Sequence, residues 1–153
     1  MDAIDRFAVL AVRRDVALGV LLSTHRHDFE LVLAAAAQSF RPDRGYSEPE
    51  VNDRLRAFLD GAGSMLGTDH VELRRWLVDF RVLARDGYGR VYTPGTPAPR
   101  IAGLVAQLAG ADLAAVARSA REVDAAQRAK RKERWQTAQG RSEERRVGKE
   151  CRL

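Results

Sequence analysis

The sequence holds one cysteine, Cys151, so no disulfide can close within the chain and no thiolate metal cluster can form. Histidine is nearly as scarce. His25 and His27 stand close together without a third matching ligand nearby, and metal coordination needs three or four, so no metal site is expected. Long apolar runs are missing too. Val16–Leu22 and Leu31–Ala37 are the longest, far short of the roughly 20 residues of a membrane span. Asp2, Asp5, Arg13, Arg14 and Asp15 interrupt the N-terminus where an export signal would need an unbroken apolar core. A cytoplasmic protein without a membrane partner is the expectation. There is no glycine-rich phosphate loop and no Ser, His and Asp set in a supporting context, so neither an enzyme nor a cofactor is expected.

What is present is a balance of 45% apolar and 31% charged residues over 153 positions, suited to one modest core with appended helices. The net charge of +5 is unevenly placed. Arg141 to Leu153 carries five cations against three anions, or +2, and Arg128 to Gly140 carries five against one, or +4; removing both from +5 leaves −1 for residues 1–127. The basic character therefore belongs to the C-terminal end, and the body gives little electrostatic argument for nucleic acid.

Helical spacing of apolar side chains runs from Asp5 to Ser23 and predicts a first helix. From Asp28, read as an N-cap, the residues Phe29, Val32, Leu33, Ala36, Ala37 and Phe40 mark one face of a second. Arg41-Pro42-Asp43-Arg44-Gly45 ends it. Ser47 and Glu50 then have the spacing of a capping box, with Tyr46 and Val51 as its hydrophobic staple, ahead of Val51, Leu55, Phe58 and Leu59. Asp60 to Gly67 reads as a loop, and Thr68 or Asp69 caps a helix bearing Leu73, Trp76, Leu77 and Phe80. Val82–Arg85 and Arg90–Thr93 read as strands around the turn Asp86-Gly87-Tyr88-Gly89. Residues 94–100 are proline-rich and read as a linker. Ile101, Leu104, Val105 and Leu108 form a short helix ended by Gly110, and Asp112 opens a last one.

This order predicts a mainly α fold with a small β-hairpin, a winged helix-turn-helix core with extra N- and C-terminal helices. The expected division is 1–45 for the N-terminal helices, the second of them packing into the core, and 46–93 for the winged-helix domain. The linker 94–100 follows, then C-terminal helices with a basic end over 101–140, and a tail over 141–153. Within that tail RSEERRVGKEC resembles the in-frame translation of a sequencing adapter, and it is set aside as an artefactual, disordered segment.

The segments YSEPEVNDRL and VELRRWLVDFRVLARDGYGRVY resemble the bacterial family known as domain of unknown function 2087. The resemblance is carried by Tyr46, Ser47, Glu50, Val51 and Asn52, then by Leu73, Arg74, Arg75, Leu77, Val78 and Asp79, and by Gly87, Gly89 and Tyr92. It implies a winged-helix domain of bacterial transcriptional regulators, with no catalytic residues attached. The loop Gly61–Gly67 is longer than in that family.

Candidates for DNA contact are His70, Arg74 and Arg75 on the third helix and Arg85, Tyr88 and Arg90 on the hairpin. Arg128, Lys130, Arg131, Lys132 and Arg134 join them, beside Trp135, as a phosphate-gripping arm, with a solvated basic face as the default reading. Counting Arg81 among the cations, the third helix and hairpin sum to +2. One of the paired arginines is equally suited to an ion pair with Glu50 or Asp53 on the preceding helix. Val71 and Val78, both read as outward-facing, point either to another helix covering this surface or to a protein partner bound through apolar contact. Asn52 is expected to bond to the loop or the next helix, and Glu48 and Glu50 to serve the helix start. Double-stranded DNA is thus the first expected partner and a protein partner or homodimer the second, with the N-terminal helix and residues 112–126 as dimer contacts.

Overall fold

The computed structural model describes residues 1–150, and the side chains of 1–142. It is mainly helical with one small antiparallel sheet. The elements are α1 (Ala3–Ala11), α2 (Leu18–Thr24), α3 (Arg26–Ala37), β1 (Tyr46–Ser47), α4 (Glu48–Asp60), α5 (His70–Asp79), β2 (Leu83–Arg85), β3 (Val91–Pro94), α6 (Pro99–Leu108) and α7 (Leu113–Glu150). Two compact units divide the chain. Residues 1–120 form the first, and the second is the continuation of α7 from Arg121.

Helix α3 is the axis of the first unit. Every residue from Asp28 to Ala36 is buried, so the helix is enclosed on all sides rather than along the single face that its spacing suggested. α1, α2 and α6 close around it. The N-terminal helix is thus used up by the chain's own core: Phe7, Leu10 and Ala11 are buried, which removes the apolar stripe expected to serve a dimer.

The single first helix expected from Asp5 to Ser23 is two helices, and the break has a partner distant in sequence. Val16 donates its N–H to Met65 and accepts from Gly67, both at 2.9 Å, a parallel bridge to the loop after α4. Asp15 adopts φ 51° to let the chain do so, a left-handed conformation in which Asp is among the tolerated residues. The long loop Gly61–Gly67 is thereby stitched to the N-terminal segment.

Asp28 does not cap α3, whose N-cap is His25. It sits in the first turn, buried, and takes a bidentate pair from the Arg6 guanidinium at 2.8 and 2.7 Å. That hydrogen-bonded pairing holds the Asp28 carboxyl below the usual carboxylate range against the opposing effect of burial, and holds Arg6 above its own usual value. Glu30, also buried, faces Arg26 and Arg100 at 3.7 and 3.6 Å, tying α3 to α6.

The start of α4 follows its sequence signal. Ser47 Oγ accepts from the Glu50 N–H, and the Glu50 carboxylate accepts from the Ser47 N–H. The staple residues Tyr46 and Val51 are both buried. Tyr46 also belongs to a strand that its two residues are too short to announce: the sheet order is β1-β3-β2, with Tyr46 opposite Tyr92 and Arg85 on its other side. At the far end Pro94 still pairs in register with Leu83, and Pro99 occupies the first turn of α6, where its missing N–H loses nothing. The proline-rich linker is correspondingly reduced to residues 95–98. Gly110 at φ 79° ends the α6 corner and the Asp112 carboxylate caps α7 by accepting from the Ala115 N–H.

Beyond Ala120, α7 remains helical to Glu150. The backbone of 141–150 is therefore helical where a disordered tail was expected; the segment lacks proline and is rich in Glu, Arg and Lys, all good helix formers. Cys151 and the rest of that tail lie outside the described residues.

Candidate functional site

Of the residues singled out from the sequence, those on α5 and the hairpin belong to the first unit, where α5 packs on α4 and on β2. α5 is held from beneath by its apolar face. Leu73 and Leu77 are fully buried, and Trp76 and Phe80 stand edge-on to Phe29 of α3 at 5.4 and 4.9 Å between ring centres. Asp69 caps the helix by accepting from the Glu72 N–H at 2.8 Å. Glu72 in turn accepts from Thr68 and from the Trp76 indole N–H.

The paired arginines part company. Arg74 turns back onto α4, where Nη1 reaches the Glu48 carboxylate at 2.9 Å and the Asn52 amide oxygen at 2.6 Å, with only 18% of its side chain exposed. It is a strut between two helices and is withdrawn as a DNA contact. Its acidic partner is Glu48 rather than the Glu50 or Asp53 anticipated, because Glu50 is occupied by the cap and by Arg44. Asn52 bonds to the next helix as expected. Arg75 is solvent-exposed. It shares the outermost line of α5 with Val71, 49% exposed, and Asp79, also exposed. Val78 is not outward-facing; it packs partly buried against the core. His70 is half-buried, with Nε2 3.3 Å from the Arg56 guanidinium.

The hairpin is organised by Asp86. Its carboxylate accepts from the N–H groups of Arg90 and Val91 at 2.8 and 3.3 Å, and these backbone bonds hold it below its ordinary value. With the acid engaged inside the turn, Arg85 and Arg90 stand exposed beside it. Tyr88 is 86% exposed at the tip, and the Arg90 guanidinium lies 5.9 Å from the centre of its ring.

Between α5 and the hairpin lies Arg81, which in the sequence is simply one more cation. The Val82 N–H returns to the Leu77 carbonyl at 2.9 Å and the Arg81 N–H to Val78 at 3.1 Å, the double closure of a helix end whose left-handed residue is usually glycine. Here that residue is Arg81 at φ 62°, exposed. Recognising it from sequence required knowing that α5 ends at Asp79, a boundary set by Val82 being pulled into the core.

The basic segment of the second unit is exposed from Arg128 to Arg134, and Trp135 is 61% exposed. Arg128 pairs along the helix with Asp124 at 2.9 Å; no carboxylate lies in ion-pair range of Lys130, Arg131, Lys132 or Arg134 among the described residues. Among those residues, too, no three His, Cys, Asp or Glu side chains come together as a metal-binding group. No single helix there is long and apolar enough to cross a membrane.

Residues 21–93 match the model of a protein family described as an uncharacterized protein conserved in bacteria, DUF2087. The resemblance carried by the Tyr46 and Leu73 segments holds at that level. The match runs from the second half of α2 into β3, so it takes in the buried α3 axis, α4, α5 and the sheet, and leaves α1, α6 and α7 outside. No curated protein and no solved structure matches the chain.

Proposed function

We propose that the 21–93 domain is a winged-helix module of a bacterial transcriptional regulator that holds duplex DNA chiefly by its phosphates. The order helix, short strand, helix, helix, hairpin, with the short strand completing a three-stranded sheet, supports the winged-helix reading. One observation carries the DNA reading: Arg75, Arg81, Arg85 and Arg90 lie along α5, its end and the hairpin, none of them deeply buried, and none has a carboxylate in ion-pair range among the described residues. Phosphate contact fixes position, whereas base reading needs several polar side chains presented into a groove. Among the described residues the outermost line of α5 offers one cation for that purpose, Arg75, so the module grips more than it reads.

A salt titration of binding to random duplex DNA tests this. Affinity should fall steeply with salt, and replacing Arg75, Arg85 and Arg90 together by Ala should flatten the log–log slope by about 0.9 for each phosphate no longer neutralised. Binding that is absent at low salt, or indifferent to the triple substitution, would sink the proposal. A protein-interaction or dimerisation module is the second reading, favoured by the exposed Val71 and by the net −1 of residues 1–127. It predicts no DNA binding and an association abolished by Val71→Asp.

A further inference from the structure

At the root of the hairpin the first unit contains a cleft of about 670 Å3. Its walls come from the end of α3, from the roots of β2 and β3, and from the corner between α6 and α7. Phe40, Val82, Leu83 and Val105 supply apolar surface, and three prolines, Pro42, Pro94 and Pro97, stiffen the rim. This volume lies within the roughly 300–1,000 Å3 typical of small-molecule sites, which are likewise apolar with a few polar groups that fix orientation.

Two polar side chains line the space, both exposed and each with one polar atom already engaged. Gln38 donates from Nε2 to the Leu108 carbonyl; since a carbonyl only accepts, the amide must face it with its nitrogen, which leaves Oε1 as an acceptor that no donor reaches among the described residues. Asp112 is the charged residue of the wall, with one carboxylate oxygen engaged by the Ala115 N–H. Among the described residues the wall has acceptors to offer and no cation. An anion would meet a carboxylate and nothing to neutralise it, while a cation would gain little from the exposed Asp112 and would lose hydration against the apolar floor.

We propose that this cleft binds an uncharged, largely apolar small molecule carrying a hydrogen-bond donor, of the class of phenols and indoles. The ring system fills the floor between Phe40 and Val105, and its O–H or N–H donates to Gln38 Oε1. The site is independent of the DNA surface and would stand if that reading fell.

The experiment uses the full chain, labelled with 15N, titrated with three matched probes: 2-naphthol, 2-methylnaphthalene and 2-naphthoate. 2-Naphthol should give saturable shifts below about 1 mM, centred on the amides of Gly95, Ala109 and Gly110. It should bind about fivefold more tightly than 2-methylnaphthalene, the scale of one neutral hydrogen bond, and 2-naphthoate about tenfold more weakly than 2-naphthol. Gln38→Leu should erase the preference for naphthol while methylnaphthalene still binds, and Ala109→Trp, at an exposed position of the wall, should block all three; the spectra themselves report whether each variant is folded. The proposal is overturned by shifts centred elsewhere, by unsaturable binding, by naphthoate binding as well as naphthol, or by either variant leaving binding unchanged. Self-association of the free chain that Ala109→Trp abolishes would also overturn it, making the cleft a contact between copies.

Discussion

Asp28 is a buried carboxylate whose bidentate partner reaches it from another helix. Removing that partner leaves a desolvated charge unpaired, so Arg6→Ala should destabilise the fold by about 2 kcal/mol, measured by urea unfolding. The pH dependence follows from the direction of the shift. A carboxyl held below its unfolded value contributes stability that is complete above that value, roughly pH 4, and is lost as pH falls through the lower folded value. Glu50, held down by its bonds from Ser47, and Asp86 have the same sign. Stability should thus be level near neutrality and fall only below about pH 4, with a shallower acid limb in Asp28→Asn; a decline beginning near pH 6 would refute the assignment.

Arg81 offers a separation of stability from function at the same scale. A side chain in a left-handed conformation costs about 1 kcal/mol relative to glycine, offset in part by the greater freedom that glycine has in the unfolded chain. Arg81→Gly should accordingly leave stability unchanged or raise it by up to about 1 kcal/mol, while DNA affinity drops. A loss of both would mean that the arginine is structural. The strain itself is an argument for use, since a glycine there would close the helix more easily.

Among the elements, those whose determinants lie within a few residues were legible in the sequence. The Ser47 cap, the Asp69 cap and the Asp86 turn are all local, and Ser47→Ala should cost about 1 kcal/mol in thermal or urea unfolding. Elements decided at a distance were not. The break between α1 and α2 depends on Met65 and Gly67, the strand β1 on Val91 and Tyr92, and the enclosure of α3 on three other helices. The site divides in the same way: the outward placement of Arg75 followed from helix periodicity, but the capture of Arg74 by Glu48 required the crossing of α4 and α5, and strand alternation does not account for Arg85, exposed two residues after the buried Leu83. Glycine substitutions distinguish the two kinds of constraint. A Cβ at Gly95 would lie 2.2 Å from the Arg81 carbonyl oxygen, whereas at Gly87 nothing stands within 4 Å. Gly95→Ala should lower the melting temperature sharply, by the equivalent of about 2 kcal/mol or more, and Gly87→Ala hardly at all.

For the whole molecule, charge and packing belong to different parts of the chain. The core lies within residues 1–120, while the cationic excess lies after Gln127. A chain ending at Gln127 should therefore unfold at nearly the same denaturant concentration as the full one. If the C-terminal cations serve DNA, the same truncation should lower affinity and flatten its salt slope; an unchanged slope would assign them to solvation alone.

Ser47 is at once the last residue of β1 and the cap of α4, so the sheet and the second helix share a hinge pin. The flap cannot lift from Val91 without disturbing the first turn of that helix, and a load placed on the hairpin is felt at its root. Amide exchange should accordingly show β3 and the opening turn of α4 unfastening together, as one cooperative latch.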